Sequence, residues 1–229
     1  MNEKLTVAVK ELARSLGADL VGVAQAEAFR EAPKGHRPEE LLRGAQSVIV
    51  MAIHLLDASL ESAPNREYSV TYNIVNQELN RIAFRVARFL QDKGYRALQV
   101  PASPPYDVSR NMGDLSHRHA GYLAGLGVFG KNSLLLSTKF GPRIRLVSVI
   151  TDAPLTADKP LDLDLCKDCD KCIRVCPAGA LKGERVVDKL KCDTHHSEVG
   201  KQLQLEDWDQ ICGVCIRVCP VGQKRPDKS

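Results

Sequence analysis

The sequence predicts an α/β domain of the α+β type followed by a small cysteine-rich module, on three observations. Helix-period and strand-length apolar runs alternate through roughly the first 150 residues. One of them, Ser47 to Leu55, is an uninterrupted β-branched stretch that reads as a largely buried strand. All eight cysteines fall in the last third of the chain, between Cys166 and Cys219. With 229 residues, 44% of them hydrophobic, the chain has material for one sizeable core and one appended module. The boundary is expected to divide residues 1–158 from 159–229.

Taken in order, Leu5, Val9, Leu12, Ala13 and Leu16 recur at helical spacing, and Gly17 is placed to end that helix. Asp19 to Ala24 is a short apolar run of strand length. Pro38 opens a short helix expected to stop at Gly44, and the buried strand Ser47 to Leu55 follows. Val75, Leu79, Ile82, Val86 and Leu90 mark the longest helix, from about Glu67 to Lys93, with Gly94 after it. Tyr95 to Val100 reads as a strand. Pro101, Pro104 and Pro105 then impose an irregular loop to Asn111. Asp114 is placed to cap a helix ending near Leu123, strands are expected near Ser133–Ser137 and Arg143–Thr151, and Thr156 to Leu165 links to the cysteine module.

Charge sets limits on partners. With 32 basic and 28 acidic residues the net charge is +4, too mild to argue for nucleic acid, and Lys224, Arg225 and Lys228 read as a solvated tail. No apolar stretch approaches the length that spans a bilayer. Met1 to Leu16 is charged and amphipathic rather than signal-like, so a cytoplasmic location without a membrane partner is expected.

The cysteine spacing carries the chemistry. Cys166, Cys169, Cys172 and Cys176 form C-x2-C-x2-C-x3-C-P with Pro177, and Cys192 precedes a second cassette of Cys212, Cys215 and Cys219 with Pro220. In this bacterial ferredoxin pattern three close cysteines hold one [4Fe-4S] cube and the fourth crosses to the other. The expected ligand sets are Cys166, Cys169, Cys172 and Cys219 for one cluster, and Cys176, Cys192, Cys212 and Cys215 for its partner. Disulfides would need an oxidising compartment. Zinc modules pair two C-x2-C knuckles instead of a triplet followed by C-x3-C-P. Basic residues Lys167, Lys171, Arg174 and Arg217 favour the reduced clusters, and burial of the sulfurs among Leu165, Ile173, Val175, Val214 and Val218 opposes them.

Gly125, Gly127 and Gly130 spell G-x-G-x-x-G, and Gly125 to Lys131 also approximates a P-loop. Phosphate-binding versions of both need a strand before the glycines and a helix after them. Here a helix precedes and an LLL strand follows, and Asn132 stands at the hydroxyl position. A structural turn or close backbone approach by some other large cofactor are the readings left open.

The run HRHAGYLAGLGVFGKNSLLL (His117 to Leu136), then GPRIRLVSVITDAPL (Gly141 to Leu155), then the two cysteine cassettes with Cys192 between them, resembles the epoxyqueuosine reductases, a family related to the reductive dehalogenases. The likeness covers roughly Asp107 to Pro220, with weaker agreement in the N-terminal helix and GADLVGVA. It implies a nitroreductase-like cobalamin-binding domain, with the ferredoxin-like module passing electrons from an external ferredoxin or flavodoxin-type donor toward a small or nucleoside-like substrate. In that setting Gly125, Gly127 and Gly130 permit close approach, Lys131 and Asn132 donate to corrin amides or the nucleotide-tail phosphate, and Thr194 lies near both cofactor and cluster. The family's catalytic acid is an Asp aligned with Asn111, whose amide has no carboxylic proton to give. Tyr106, a phenol in the proline-fixed loop, and Asp107 are the substitutes, with Asp114 a third. The family's helical-repeat extension, which helps bind tRNA, is not expected in this short form, which leaves tRNA unsupported as a partner.

His117 and His119, two apart on a helix, make a poor metal pair and are expected in capping or core roles. His195 and His196 are expected to bond to sulfur or solvent, His54 to be buried and satisfied, and Trp208 to pack. The functional expectation is a reductase using two [4Fe-4S] clusters and cobalamin. The alternatives are a non-catalytic electron carrier or corrinoid-reducing partner with the same clusters, and an FMN-dependent version of the same architecture.

Overall fold

A computed structural model describes residues 1–103, 112–205 and 211–223. In chain order they form α1 (Glu3–Ser15), β1 (Leu20–Gln25), α2 (Pro38–Leu41), β2 (Ser47–His54), α3 (Asp57–Leu60), α4 (Arg66–Asp92), β3 (Ala97–Val100), α5 (His117–Leu123), β4 (Val128–Phe129), β5 (Leu135–Leu136), β6 (Ile144–Thr151), α6 (Lys171–Arg174), α7 (Lys189–Leu203) and α8 (Val214–Arg217). The chain divides into two compact units: Met1–Ile53, Ile74–Gly127 and Arg145–Asp162 form the first, and His54–Asn73, Val128–Ile144 and Leu163–Ser229 the second.

The first unit is built on a four-stranded sheet of order β1-β2-β6-β3. β1 runs antiparallel to β2 with Leu20 opposite Ala52 and Gln25 opposite Ser47, and β3 runs antiparallel to β6 with Ala97 opposite Thr151. Residues Ser47 to Ala52 of β2 are all buried, so both faces of this strand are covered, as its continuous apolar run requires. β6 is buried at every position but Arg145. Asn2 caps α1, its side-chain oxygen accepting from the Leu5 N–H at 3.0 Å, and Leu5, Val9 and Ala13 face inward. From α4 the side chains of Leu79, Ile82, Ala83, Val86 and Leu90 enter this core, each large one contributing about 1.5–3 kcal/mol of apolar burial.

Two backbone features tighten the unit. Gly22 in β1 lies so close to the α5 C-terminal turn that a Cβ would collide with the Ala124 carbonyl oxygen and the Leu126 side chain. Asp158 then pins the segment after β6: its carboxylate accepts from Lys10 Nζ at 2.6 and 2.7 Å and from the Val23 N–H at 2.8 Å, and its own N–H donates to the Val23 carbonyl at 2.8 Å.

The second unit contains the β4-β5 ribbon, α3, the first turns of α4 and the cysteine-bearing helices α6 to α8. Tyr68 is 2% exposed, and Gly213, at φ +74°, brings the chain before α8 against its ring. The Arg66 guanidinium donates to the Leu203 carbonyl at 2.8 Å and Arg217 donates to the Ala63 carbonyl at 2.6 Å. Thus His54–Asn73, far from the cysteines in sequence, belongs to the unit that holds them.

Several boundaries differ from the sequence expectation. α5 is capped by Ser116, whose hydroxyl accepts from the His119 N–H, and not by Asp114. α2 stops at Leu41, before Gly44, and β5 is reduced to Leu135–Leu136 because Ser137 and Gly141 close a turn directly after it. Val175, expected to shield sulfur, is 43% exposed, whereas Val214 is buried. No helix among the described residues is long and apolar enough to cross a membrane.

Candidate metal centre

The two cysteine cassettes each make the same local structure. The sequences Lys171–Arg174 and Val214–Arg217 each form a single-turn helix, and each is followed by Val-Cys-Pro and, two residues on, a glycine with positive φ: Gly179 at +57° and Gly222 at +73°. Proline ends the turn and glycine supplies the left-handed conformation that bends the chain back. Cys172 and Cys215 therefore sit on the short helices, with Cys176 and Cys219 on the turns that follow.

The thiols fall into two neighbourhoods. The Cys172 thiol is pushed up to about 11, first by burial and then by the negative charges that Cys166, Cys219 and Cys169 carry when ionised. Cys192 is likewise pushed up to about 11 by burial and by Cys212 and Cys176, while burial, then Cys212 and Cys192, drive Cys215 higher still. Cys172, from the other neighbourhood, also acts on Cys215, so the two groups lie near each other. Thiols that are buried and oppose one another's ionisation are held protonated without a metal, so a multiply charged centre assembling on them would have to expel their protons. Among the described residues, no three His, Cys, Asp or Glu side chains are set to hold a single metal ion.

Donors surround these sulfurs. The backbone N–H of Lys131 donates to Cys166 Sγ at 3.3 Å, and that of Ala180 to Cys176 Sγ at 3.3 Å. His196 Nε2 lies 3.6 Å from Cys192 Sγ on α7, one turn away. Hydrogen bonds of this kind to a cluster's sulfurs raise its reduction potential. Arg174 is paired with Asp170 at 3.1 Å. His195 pairs with Glu198 at 3.3 Å.

The glycine segment is taken up by its own chain. Gly125, at φ +69°, would place a Cβ against the Lys159 carbonyl oxygen, and a Cβ on Gly130 would lie 2.7 Å from both the Asn132 side-chain oxygen and Leu136 Cδ1. Asn132 is 5% exposed and its Oδ1 accepts from the Leu134 N–H at 3.2 Å, closing the β4-β5 turn. Lys131 Nζ donates to the Lys167 carbonyl at 2.8 Å, and the Thr194 hydroxyl bonds back to the Leu190 carbonyl at 2.9 Å. Gly127 ends the last first-unit segment before β4. Lys131 is the one of these residues that touches the cysteine segment. Asn111, Tyr106, Asp107 and Trp208, with Lys224, Arg225 and Lys228, lie outside the described residues.

The remaining histidines have structural partners. His117 lies between the Ser148 hydroxyl and the Pro101 carbonyl, at 2.8 Å from each, and burial lowers it to about 4. It is therefore neutral near pH 7, with Nε2–H donating to Pro101 and Nδ1 accepting from Ser148. His119 Nδ1 meets the Ser116 hydroxyl at 2.7 Å, and His54 stacks on Phe140 with ring centroids 4.3 Å apart.

Sequence reasoning missed Arg143. Its side chain is 4% exposed and reaches four backbone carbonyls of the second cassette, from Ile216 to Val221. An Arg directly after Gly141-Pro142 carries no periodic signal in the sequence.

Residues 165–222 match the family described as a 4Fe-4S double cluster binding domain. A tetrachloroethene reductive dehalogenase of Desulfitobacterium hafniense is 30% identical over 195 residues, covering 84% of this chain and 32% of the dehalogenase. An epoxyqueuosine reductase of Bacillus cereus is 28% identical over 232 residues, covering 91% of this chain and 60% of the reductase. The chain thus spans about a third of the one relative's length and 60% of the other's. Among solved structures, a reductive dehalogenase whose structure suggests a mechanism for B12-dependent dehalogenation superposes with a TM-score of 0.77 at 24% identity, over 97% of this chain and 32% of that one, and so shares its fold. Residues 165–222 thus form a 4Fe-4S double cluster binding domain, in a chain that is similar to epoxyqueuosine reductases and reductive dehalogenases and shares the α+β fold of the latter.

Proposed function

We propose that the chain is a corrinoid-dependent reductase in which two [4Fe-4S] clusters carry electrons from an external ferredoxin or flavodoxin-type donor toward cobalamin and a small or nucleoside-like substrate. The single observation that carries this reading is the sorting of the eight thiols into two adjacent groups of four inside the double cluster binding domain. In this reading Cys166, Cys169, Cys172 and Cys219 hold one cluster, and Cys176, Cys192, Cys212 and Cys215 the other. The donor set fits: thiolates at the corners, and amide N–H groups of Lys131 and Ala180 directed at two of the sulfurs.

Cobalamin enters through the relationship to the B12-dependent dehalogenase fold and to the epoxyqueuosine reductases. When bound, a corrin supplies a strongly reducing cobalt centre, for which low-potential clusters are suitable donors. Gly125 and Gly130 make close approaches within the chain and Asn132 Oδ1 accepts from Leu134, so in this reading Asn132 Nδ2 is the donor left for a corrin amide. Asn111, at the acid position, would hydrogen-bond where relatives protonate, and Tyr106 or Asp107 would give the proton. The cytoplasm is the compartment this chemistry suits, because thiols and reduced clusters persist there.

The engagement of those glycine-segment residues favours one second reading, a non-catalytic electron carrier. One experiment separates them. Protein reconstituted anaerobically, reduced with Ti(III) citrate, mixed in parallel with hydroxocobalamin or FMN and passed through gel filtration retains corrin and shows the base-off cob(II)alamin spectrum if it is the reductase. Intact clusters without retained corrin identify the carrier, and retained FMN identifies the flavin version.

A further inference from the structure

The Arg143 guanidinium is buried and forked across the end of the second cysteine cassette. One terminal nitrogen donates to the Val221 carbonyl at 2.9 Å; the other donates to the carbonyls of Cys219 at 2.8 Å, Ile216 at 3.3 Å and Arg217 at 3.4 Å. Its own carbonyl accepts from the Leu55 N–H at 2.9 Å, and Nε lies 3.8 Å from Asp57. The segment before it is clamped as well. A Cβ on Gly141 would collide with the Val221 carbonyl, and one on Gly222 with the Phe140 and Gly141 backbone, so Gly141–Arg143 and Cys219–Gly222 lie in direct backbone contact.

A buried guanidinium is costly unless its donors are paired and an opposite charge is near. The donors are paired here with neutral carbonyls. The nearby negative groups are Cys219, when it is a thiolate, and half-exposed Asp57. The guanidinium is bonded to the Cys219 carbonyl at 2.8 Å, so its positive charge sits against the residue that would ligate the cluster, close to where an added electron is delocalised. Cys219 is also the ligand that must cross to Cys166, Cys169 and Cys172, so its loop has to be held in place from outside its own cassette.

The geometry points to Arg143 as a positioning residue for electron transfer: it fixes the Cys219 loop so that this cysteine reaches the first cluster, and its buried positive charge raises that cluster's potential. This rests on the cluster reading above. Arginine is required over lysine because only the planar fork reaches several carbonyls at once, whereas either residue supplies the charge.

The experiment compares reconstituted wild type, R143K and R143Q in a Ti(III) citrate titration followed by EPR, with iron release to EDTA measured in parallel. In R143Q one of the two one-electron steps should shift so that the reduced-to-oxidised ratio at a fixed poise falls about tenfold, the order a unit charge gives across several ångströms at an intermediate dielectric. R143K should keep that ratio within about twofold of wild type yet release iron several-fold faster, because one ammonium cannot satisfy four carbonyls. Should R143Q fail to load, R143K decides: a wild-type potential with faster release supports the assignment, and a shifted potential with wild-type release overturns it. Unmoved steps in R143Q, or equal shifts in both variants, overturn it also. Wild-type protein that takes up no iron overturns the cluster reading itself, and the assignment with it.

Discussion

The backbone N–H of Lys131 donates to the Sγ of Cys166 at 3.3 Å, which ties the β4-β5 turn to the first cysteine of the module. The bond comes from the main chain, and the lysine side chain is occupied separately at the Lys167 carbonyl. K131A should therefore bind as much iron as wild type, measured after anaerobic reconstitution. Loss of iron in K131A would show that the ammonium, not the amide, is what the site needs.

The proposed crossed ligand sets predict a pattern of losses that a pair of independent cassettes would not give. C219A should lose about half the iron, and adding C166A should remove little more, since both serve one cluster. C219A with C176A should lose nearly all of it. If C219A instead spared the centre of Cys166, Cys169 and Cys172 and emptied that of Cys212 and Cys215, the ligands would be uncrossed.

Gly125 owes its residue type to its own backbone. Its φ of +69° and the Lys159 carbonyl facing it leave no room for a side chain. G125A should destabilise the chain by about 1–3 kcal/mol from the backbone conformation alone, with the collision adding to it. Urea unfolding at matched cluster content measures this, and an unchanged midpoint would contradict it.

His117 should make stability depend on pH. Burial lowers it to about 4 from its ordinary 6.5, so the unfolded chain takes up a proton before the folded one does. Its contribution is fully present above about 6.5 and is lost as pH falls toward 4, on the order of 3 kcal/mol across that window. H117Q should flatten the dependence, as followed by urea midpoints between pH 7 and 4. A wild-type curve with the same slope as H117Q would remove His117 as the cause.

Elements whose signal is local were legible in the sequence. α1, β2 and α4 begin and end within a residue or two of the expected places, because apolar periodicity and flanking glycines such as Gly17 and Gly94, both at positive φ, act over one or two turns. The cysteine cassettes were legible for the same reason. What stayed hidden depends on long-range approach. Gly125 reads as a cofactor glycine in the sequence, where nothing announces that Lys159 returns beside it. The role of Arg143 requires knowing that residues 216–221 fold back onto it. Likewise, no periodicity announces that His54–Asn73 joins the cysteine-bearing unit.

The central claim is two iron-sulfur cubes on one polypeptide, and iron, acid-labile sulfide and zinc quantified together on anaerobically reconstituted protein test it most directly. The account predicts about eight irons and eight sulfides per chain, with the EPR spectrum of the reduced protein showing two interacting [4Fe-4S]⁺ centres. Stoichiometric zinc, or no more than about four irons per chain, would contradict it.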